Sequence, residues 1–319
     1  MIKILEMREA KPEERQRYYN EEWSKEDLPE FVLHSLSLRE FAFDHKGKGP
    51  NNRYNQFMTP EELTDFLKNK APYAVYGSVA LYERPSERKK WLKSEVVFDI
   101  DAKDLPIKSC DCTGGDVCEK CLNDARRVTK NFADTLRSNL ALKNIHFVYS
   151  GRGFHIRVVD DSVMEMSRNE RSQLVNYVTG GTIPSDLTMA LGYSKIFRER
   201  LARTFENIDE EKFKDIGIRT KLRNKIKKEK EKVLRDIKKG EFKEIQDMKG
   251  MGSKSFKKFM NYLARLNSEF TDGKVTIDTK RILRLPSSLH SKVSRKCTLI
   301  KDIDSFSFNE AVPNFIREG

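Results

Sequence analysis

The sequence predicts a mixed α/β catalytic domain interrupted by helices. Three observations carry that expectation. Apolar, β-branched runs such as Val96–Ile100, Asn144–Tyr149 and Phe154–Val159 crowd the first half and return after residue 270. Between about 163 and 268 they give way to Leu, Lys, Arg, Glu and Met spaced near 3.6 residues, the period of a helix face. Acidic residues end strand-like runs on both sides of that stretch, so the two flanks read as one unit.

Taken in chain order, Pro12–Tyr19 predicts a helix. Thr59-Pro60-Glu61-Glu62 is a helix start, with Thr as N-cap, Pro at the first helical position and Glu three residues after the cap. Residues 73–82 read as β structure, with Gly77 marking a bulge or bend. Glu95–Ile100 reads as a buried strand ending in acidic residues, and Asn123–Leu142 as a helix. Ser150-Gly151-Arg152-Gly153 joins two apolar runs and predicts a hairpin. Further strands are expected at Lys274–Asp278 and Cys297–Ile303. The resulting division is 1–163 for the first part of the catalytic domain, 164–268 for the helical insertion, and 269–319 for the second part.

Among 319 residues, 34% are charged and 38% hydrophobic, and no apolar run approaches the length of a membrane span. Met1–Glu6 is charged within three residues and lacks the apolar core of a secretory leader, so a cytoplasmic, reducing environment is expected. The net charge is +12, and its placement is the informative part. Residues 195–260 hold 22 Lys and Arg against 12 Asp and Glu, which is +10 of the total. A polyanionic partner near that segment, most simply nucleic acid, accounts for it; a solvated Lys-rich surface is the plain alternative.

Asp99 and Asp101 alternate with Phe98 and Ile100, which on a strand points both carboxylates to one face. Two such groups repel unless a cation lies between them, and hard oxygen ligands favour Mg²⁺ or Mn²⁺. Asp278 ends another apolar run and completes a possible set of three. In Ser150–His155 the glycines permit close backbone approach to a ligand, Arg152 offers a fork for phosphate oxygens, and His155 offers a ring N–H. Arg284 and His290 offer the same chemistry further on. Cys110, Cys112, Cys118 and Cys121 place four thiols in twelve residues around a Gly-Gly turn, the pattern of one closed structural Zn²⁺ site. Cys297 is left over as a small buried hydrophobe. Ile245–Lys254 resembles the Gly-x-Gly turn of helix-hairpin-helix modules, though an ordinary helix–helix turn reads the same way.

In combination, Val97–Asp101, Cys110–Cys121, Phe147–Val158, Asp278 and Arg284–His290 resemble, in order and spacing, the small catalytic subunit of archaeal and eukaryotic DNA primase. Arg53–Phe57 resembles a further family element near the nucleotide. Ser150-Gly151-Arg152-Gly153-Phe154-His155 has the archaeal form. The resemblance implies a prim fold built on a mixed sheet, with a zinc knuckle and an inserted α-helical subdomain. It implies two catalytic Mg²⁺ or Mn²⁺ ions on Asp99, Asp101 and Asp278, and a nucleoside triphosphate on Ser150, Arg152, His155, Arg284, His290 and Arg53. The implied activity is template-directed synthesis of short primers on single-stranded DNA, in an archaeal cell, beside a large subunit carrying an iron–sulfur cluster. The rival readings are a primase-polymerase or repair-type polymerase that extends existing primers, a metal-dependent nuclease, and a zinc-containing nucleic-acid-binding protein without catalysis.

Overall fold

Strand pairing organises the molecule into two four-stranded sheets and one hairpin. The computed structural model describes residues 7–318; the Met1–Glu6 leader reading lies outside them. The strands are β1 Phe41–Asp44, β2 Asn52–Asn55, β3 Ala74–Ser78, β4 Ala80–Arg84, β5 Lys89–Ser94, β6 Val96–Asp101, β7 Ile145–Tyr149, β8 Gly153–Val158, β9 Ile282–Arg284 and β10 Thr298–Ile300. One sheet has the order β2-β1-β3-β9, the other β10-β7-β8-β6, and β4 pairs with β5.

All of these pairings are antiparallel, which corrects the expected mixed sheet. The reason lies in the connections. The tight turn after Tyr149 forces β8 back along β7. Helix Glu119–Leu140 returns the chain from β6 to β7 in the same direction, but β8 lies between them, so the two like-directed strands never pair.

Local signals account for most element ends. Thr59 Oγ1 accepts from Glu62 N and starts helix Pro60–Lys70. The helix expected at Pro12–Tyr19 runs Pro12–Arg17 and widens into a π-turn over Tyr18–Glu22. Gly77 is no bulge: it pairs in register with Phe41 and Leu283, and the chain leaves the sheet after Ser78.

The strand expected at Lys274–Asp278 is also corrected. Gly273–Ile277 is a helical turn whose N-cap, Asp272, accepts from Lys274 N through its own side chain. β6 is an edge strand, and this turn covers the edge. Asp272 N and Thr271 Oγ1 donate to Asp99 O, and Thr276 Oγ1 donates to Val97 O. Those long-range hydrogen bonds outweigh the β preference of Val275, Thr276 and Ile277.

One apolar core lies between β6–β8 and helices Glu119–Leu140 and Arg168–Thr179. Another fills the space between β1, β3, helix Pro60–Lys70 and the C-terminal Phe315 and Ile316. Val79, Val97, Val275 and Leu283 form a small cluster where the two sheets meet. Helices Gly192–Asn207, Thr220–Lys228, Lys230–Lys239, Phe242–Gln246 and Ser253–Ser268 enclose a core of their own from Phe197 to Leu266. Helix Arg168–Thr179, although inside the helical stretch, gives Leu174, Val175 and Val178 to the β6–β8 core instead. No helix of the described residues is long and apolar enough to cross a membrane.

Candidate active site

Asp99 and Asp101 stand opposite His155 and Gly153 in the β6–β8 register. Phe98 and Ile100 are fully buried beneath them, whereas the two carboxylates keep 28% and 30% exposure. The alternation read from sequence thus delivers both carboxylates to one cleft. Burial, then the neighbouring charges of Asp101 and Asp272, pushes the Asp99 carboxyl up to about 7. Burial also raises Asp101, against the pull of Arg152 and Lys103. Arg152 Nη2 is 4.0 Å and Lys103 Nζ 3.7 Å from Asp101 Oδ2.

Asp272 is the carboxylate that sequence reasoning missed. Reading Val275–Ile277 as a strand drew attention to its end, Asp278, and away from the cap that starts the turn; Asp-Gly before an apolar run was the available signal. Asp278 lies at the other end of the turn. Its Oδ1 accepts from Lys280 N, and its charge bears on Tyr82.

Cations gather on the opposite side. Arg284, on β9, lies with its guanidinium 5.5 Å from the Tyr76 ring centre, and its buried Nε has no partner. Its charge bears on Asp99, His155 and His290. Arg152 Nε is likewise buried without a partner. His290 is 5% exposed and held neutral by burial, then by Arg284 and Arg152. Its Nδ1 accepts from Lys292 N at 3.1 Å, so Nε2 carries the proton and is a donor. His155 Nε2 lies 3.5 Å from Asp99 Oδ1; burial, then Arg284 and Arg157, push its pKa down to about 3. It is therefore a neutral neighbour of Asp99, with Nδ1 buried and unpartnered. Ser150 is buried at the mouth of the turn, where its N–H donates to Gly153 O.

Two expectations change here. The glycines of Ser150–His155 make room for the protein itself rather than for a ligand. A Cβ on Gly151 (φ +102°) would lie 2.8 Å from His290 Cβ, and one on Gly153 2.2 Å from Ile100 O. Arg53, expected at the nucleotide, is committed elsewhere. Its Nε and Nη2 donate to the fully buried Glu40 at 2.9 and 3.0 Å, and Arg88 adds an ion pair, Nε to Glu40 Oε2 at 3.3 Å. A carboxyl group with no exposure needs such partners, so Arg53 is held against the first sheet.

The sulfurs of Cys110, Cys112, Cys118 and Cys121 all lie within 4.8 Å of one another. A tetrahedron of thiolates around Zn²⁺ has edges of about 3.8 Å, so the set fits that ion. Among the described residues no other group of three or more His, Cys, Asp or Glu side chains closes so tightly. The cysteine loop is tied to the turn that follows the carboxylate strand and to helix Glu119–Leu140: Lys108 Nζ donates to Cys112 O and Lys103 O, and Asp124 accepts from both Ser109 N and Ser109 Oγ. Cys297 is fully buried, as expected.

Carboxylates gathered beside guanidinium groups that keep partnerless N–H donors suit the transfer of phosphoryl or nucleotidyl groups. Comparison with known proteins narrows the class. Residues 98–302 match the family model for the DNA primase small subunit. The chain is 43% identical to the DNA primase small subunit PriS of Methanobrevibacter smithii, covering 96% of this chain and 97% of that one. It is 39% identical to that of Methanothermobacter thermautotrophicus (97% of each) and 38% to that of Pyrococcus horikoshii (98% and 95%). The chain belongs to the DNA primase small-subunit family, the catalytic, nucleotidyl-transferring subunit of primase.

Proposed function

We propose that this chain joins nucleoside triphosphates into short primers on a single-stranded DNA template, at the cleft between β6 and β9. The observation that carries the reading is the convergence of Asp99, Asp101 and Asp272 with Arg152, Arg284 and His290, each of which feels the charge of others in the group or acts on it. A carboxyl raised to about 7 by burial and then by like-charged neighbours is a group that lacks a counter-cation, and a divalent ion supplies it. Asp99, Asp101 and Asp272 would hold Mg²⁺ or Mn²⁺, with Asp272 in the place first given to Asp278. Such ions, when bound, lower the pKa of the attacking 3′-hydroxyl and stabilise the departing pyrophosphate. Arg152 and Arg284 would grip phosphate oxygens through unpaired guanidinium N–H groups, and His290 would donate from Nε2. Ser150 would add its hydroxyl at the same turn. His155, neutral and beside Asp99, would orient that carboxylate rather than bind phosphate.

The remaining parts follow from this reading. The Cys110–Cys121 loop would hold one structural Zn²⁺ and stiffen the exit from β6. The division into 1–163, 164–268 and 269–319 describes a prim-type catalytic unit carrying an inserted helical subdomain, and the basic surface of residues 195–260 would attract the template. The relatives' name, a small subunit, implies a large subunit as partner; we propose that it is the iron–sulfur protein of the family and that the pair acts at the replication fork inside an archaeal cell. The test supplies labelled nucleotides, unprimed single-stranded DNA and Mn²⁺ or Mg²⁺. Primers formed from nucleotides alone support the proposal. Extension confined to added primers, degradation of the strand, or binding without turnover would each replace it with the corresponding rival.

A further inference from the structure

A cavity of about 190 Å³ lies apart from the cleft just described, and none of the cleft residues lines it. Helix Glu119–Leu140 forms one wall with Arg127, Val128, Asn131 and Phe132, and helix Gly192–Asn207 forms another with Arg200 and Arg203. The loop Ile107–Ser109 and the segment Asn267–Phe270 close it. Its lining holds four cationic side chains, Lys108, Arg127, Arg200 and Arg203, against the single carboxylate of Asp124. That carboxylate is already taken by Ser109 and Arg127.

Arg200 decides what the cavity suits. It is 7% exposed. Its Nε donates to Val178 O, its Nη2 to Asn131 O and Thr135 Oγ1, and its guanidinium lies 5.3 Å from the Phe132 ring centre. Nη1 is left without a protein acceptor. The guanidinium of Arg203, close enough that its charge disfavours that of Arg200, makes no hydrogen bond or ion pair among the described residues. A buried guanidinium with a spare N–H next to a second unpaired cation is a built anion site. The other surfaces, Ile107, Val128, Phe132 and Phe270, are apolar, and the Asn131 side-chain amide, which has no protein partner, offers a donor and an acceptor. An apolar slot with a few placed polar groups is the usual form of a ring-binding pocket.

We infer that this cavity binds a nucleoside phosphate, its ring between the apolar walls and its phosphate on Arg200 and Arg203. The occupant is a free nucleotide or one residue of a DNA strand; the chemistry is the same. Its walls run directly into the cleft. Phe270 precedes Thr271 and Asp272, which bond to Asp99, and Ile107 lies on the loop leaving Asp101. Occupancy therefore braces both chain segments that deliver the carboxylates.

The test measures binding without turnover, so its outcome is separate from that of the primer-synthesis proposal. The full chain is titrated with ATP in EDTA and irradiated with 8-azido-ATP, and the adducts are mapped. Saturable binding that survives in Arg284→Ala is expected, with adducts in peptides spanning 107–109, 127–132 or 267–270. Arg203→Glu, a change at an exposed position, should weaken it by roughly tenfold or more, the scale of one charge-assisted hydrogen bond. Asn131→Ala should lower the preference for ATP over pyrophosphate. Competition by an oligodeoxynucleotide stronger than by ATP assigns the site to a strand nucleotide, and the reverse to a free one; either supports the class. No saturable binding below about 1 mM, adducts confined to the peptides of Asp99, Arg152 and Arg284, or wild-type binding by Arg203→Glu would overturn the inference.

Discussion

Replacing Asp272 by Asn separates the two carboxylates that compete for the third place at the metal site. In the metal-free protein the Asp99 carboxyl stands at about 7 against an ordinary 3.8. A carboxyl raised in the folded state keeps its proton while the unfolded chain has lost it. Stability from this group therefore falls as pH rises from about 4 to 7, by up to roughly 4 kcal/mol. Burial is the first cause, Asp101 the second and Asp272 the third, so Asp272→Asn recovers only about 1 kcal/mol. For a chain of this size that is about 2 °C in Tm. The metal-free variant should thus melt slightly higher than wild type at pH 8 and alike at pH 4. With Mn²⁺ the order reverses, because the wild type gains the ion's binding energy and the variant has lost a ligand. Primer synthesis should drop at least roughly 100-fold, and Asp278→Asn should stay within a few-fold of wild type. The measurements are melting curves at both pH values with and without Mn²⁺, alongside de novo primer yield. Normal synthesis by folded Asp272→Asn, with synthesis lost in Asp278→Asn, would refute the assignment.

Further outcomes follow from the same geometry. Elemental analysis should find one zinc per chain, and Cys118→Ser should lower both zinc content and Tm; zinc-free protein with full stability would contradict the knuckle. Arg284→Ala and Arg152→Ala each remove a guanidinium with a partnerless buried Nε from the cleft, so nucleotide KM should rise or kcat fall, by the roughly 1.5–3 kcal/mol of a charged hydrogen bond, with template affinity little changed. Gly151→Ala should damage nucleotide use without touching a ligand, because its methyl meets His290 at a backbone φ of +102°; steady-state kinetics at the wild-type level would show that His290 has room to move. Neutralising Lys221, Lys227 and Lys228, all exposed, should flatten the salt dependence of single-strand binding by up to about 0.7 log units per lost contact. Lys230 is a poor choice for that experiment, since Glu210 holds it at 2.7 Å.

What could be read in advance was local. The Asp99–Asp101 alternation, the hairpin after Tyr149 and the cysteine spacing each depend on neighbours within a few residues, and each appears in the structure where the sequence placed it. The failures share a different cause. Val275–Ile277 has strand residues, but its conformation is set by Asp99 and Val97, about 180 positions away in the chain. Arg53 carries a phosphate-binding side chain, yet Glu40, buried just before the neighbouring strand β1, claims it. Gly151 and Gly153 advertise open space that His290 and Ile100 already fill. In each case a partner distant in sequence decided among options that the segment itself left equal.

The meeting of Gly151 with His290 also orders events during synthesis of the chain. The carboxylate strand β6 and the hairpin β7–β8 emerge from the ribosome early and contain nearly all of their own pairing. Arg284 and His290 come some 130 residues later, and their segments dock by adding β9 to β3 and β10 to β7 and by bonds such as Tyr18 Oη to Ser287 O. A nascent chain halted before residue 281 would hold all three cleft carboxylates without the late cations opposite them. It could capture a divalent ion yet fail to grip a triphosphate. On the proposed assignment, the grip on the triphosphate is completed only by about the last eighth of the chain.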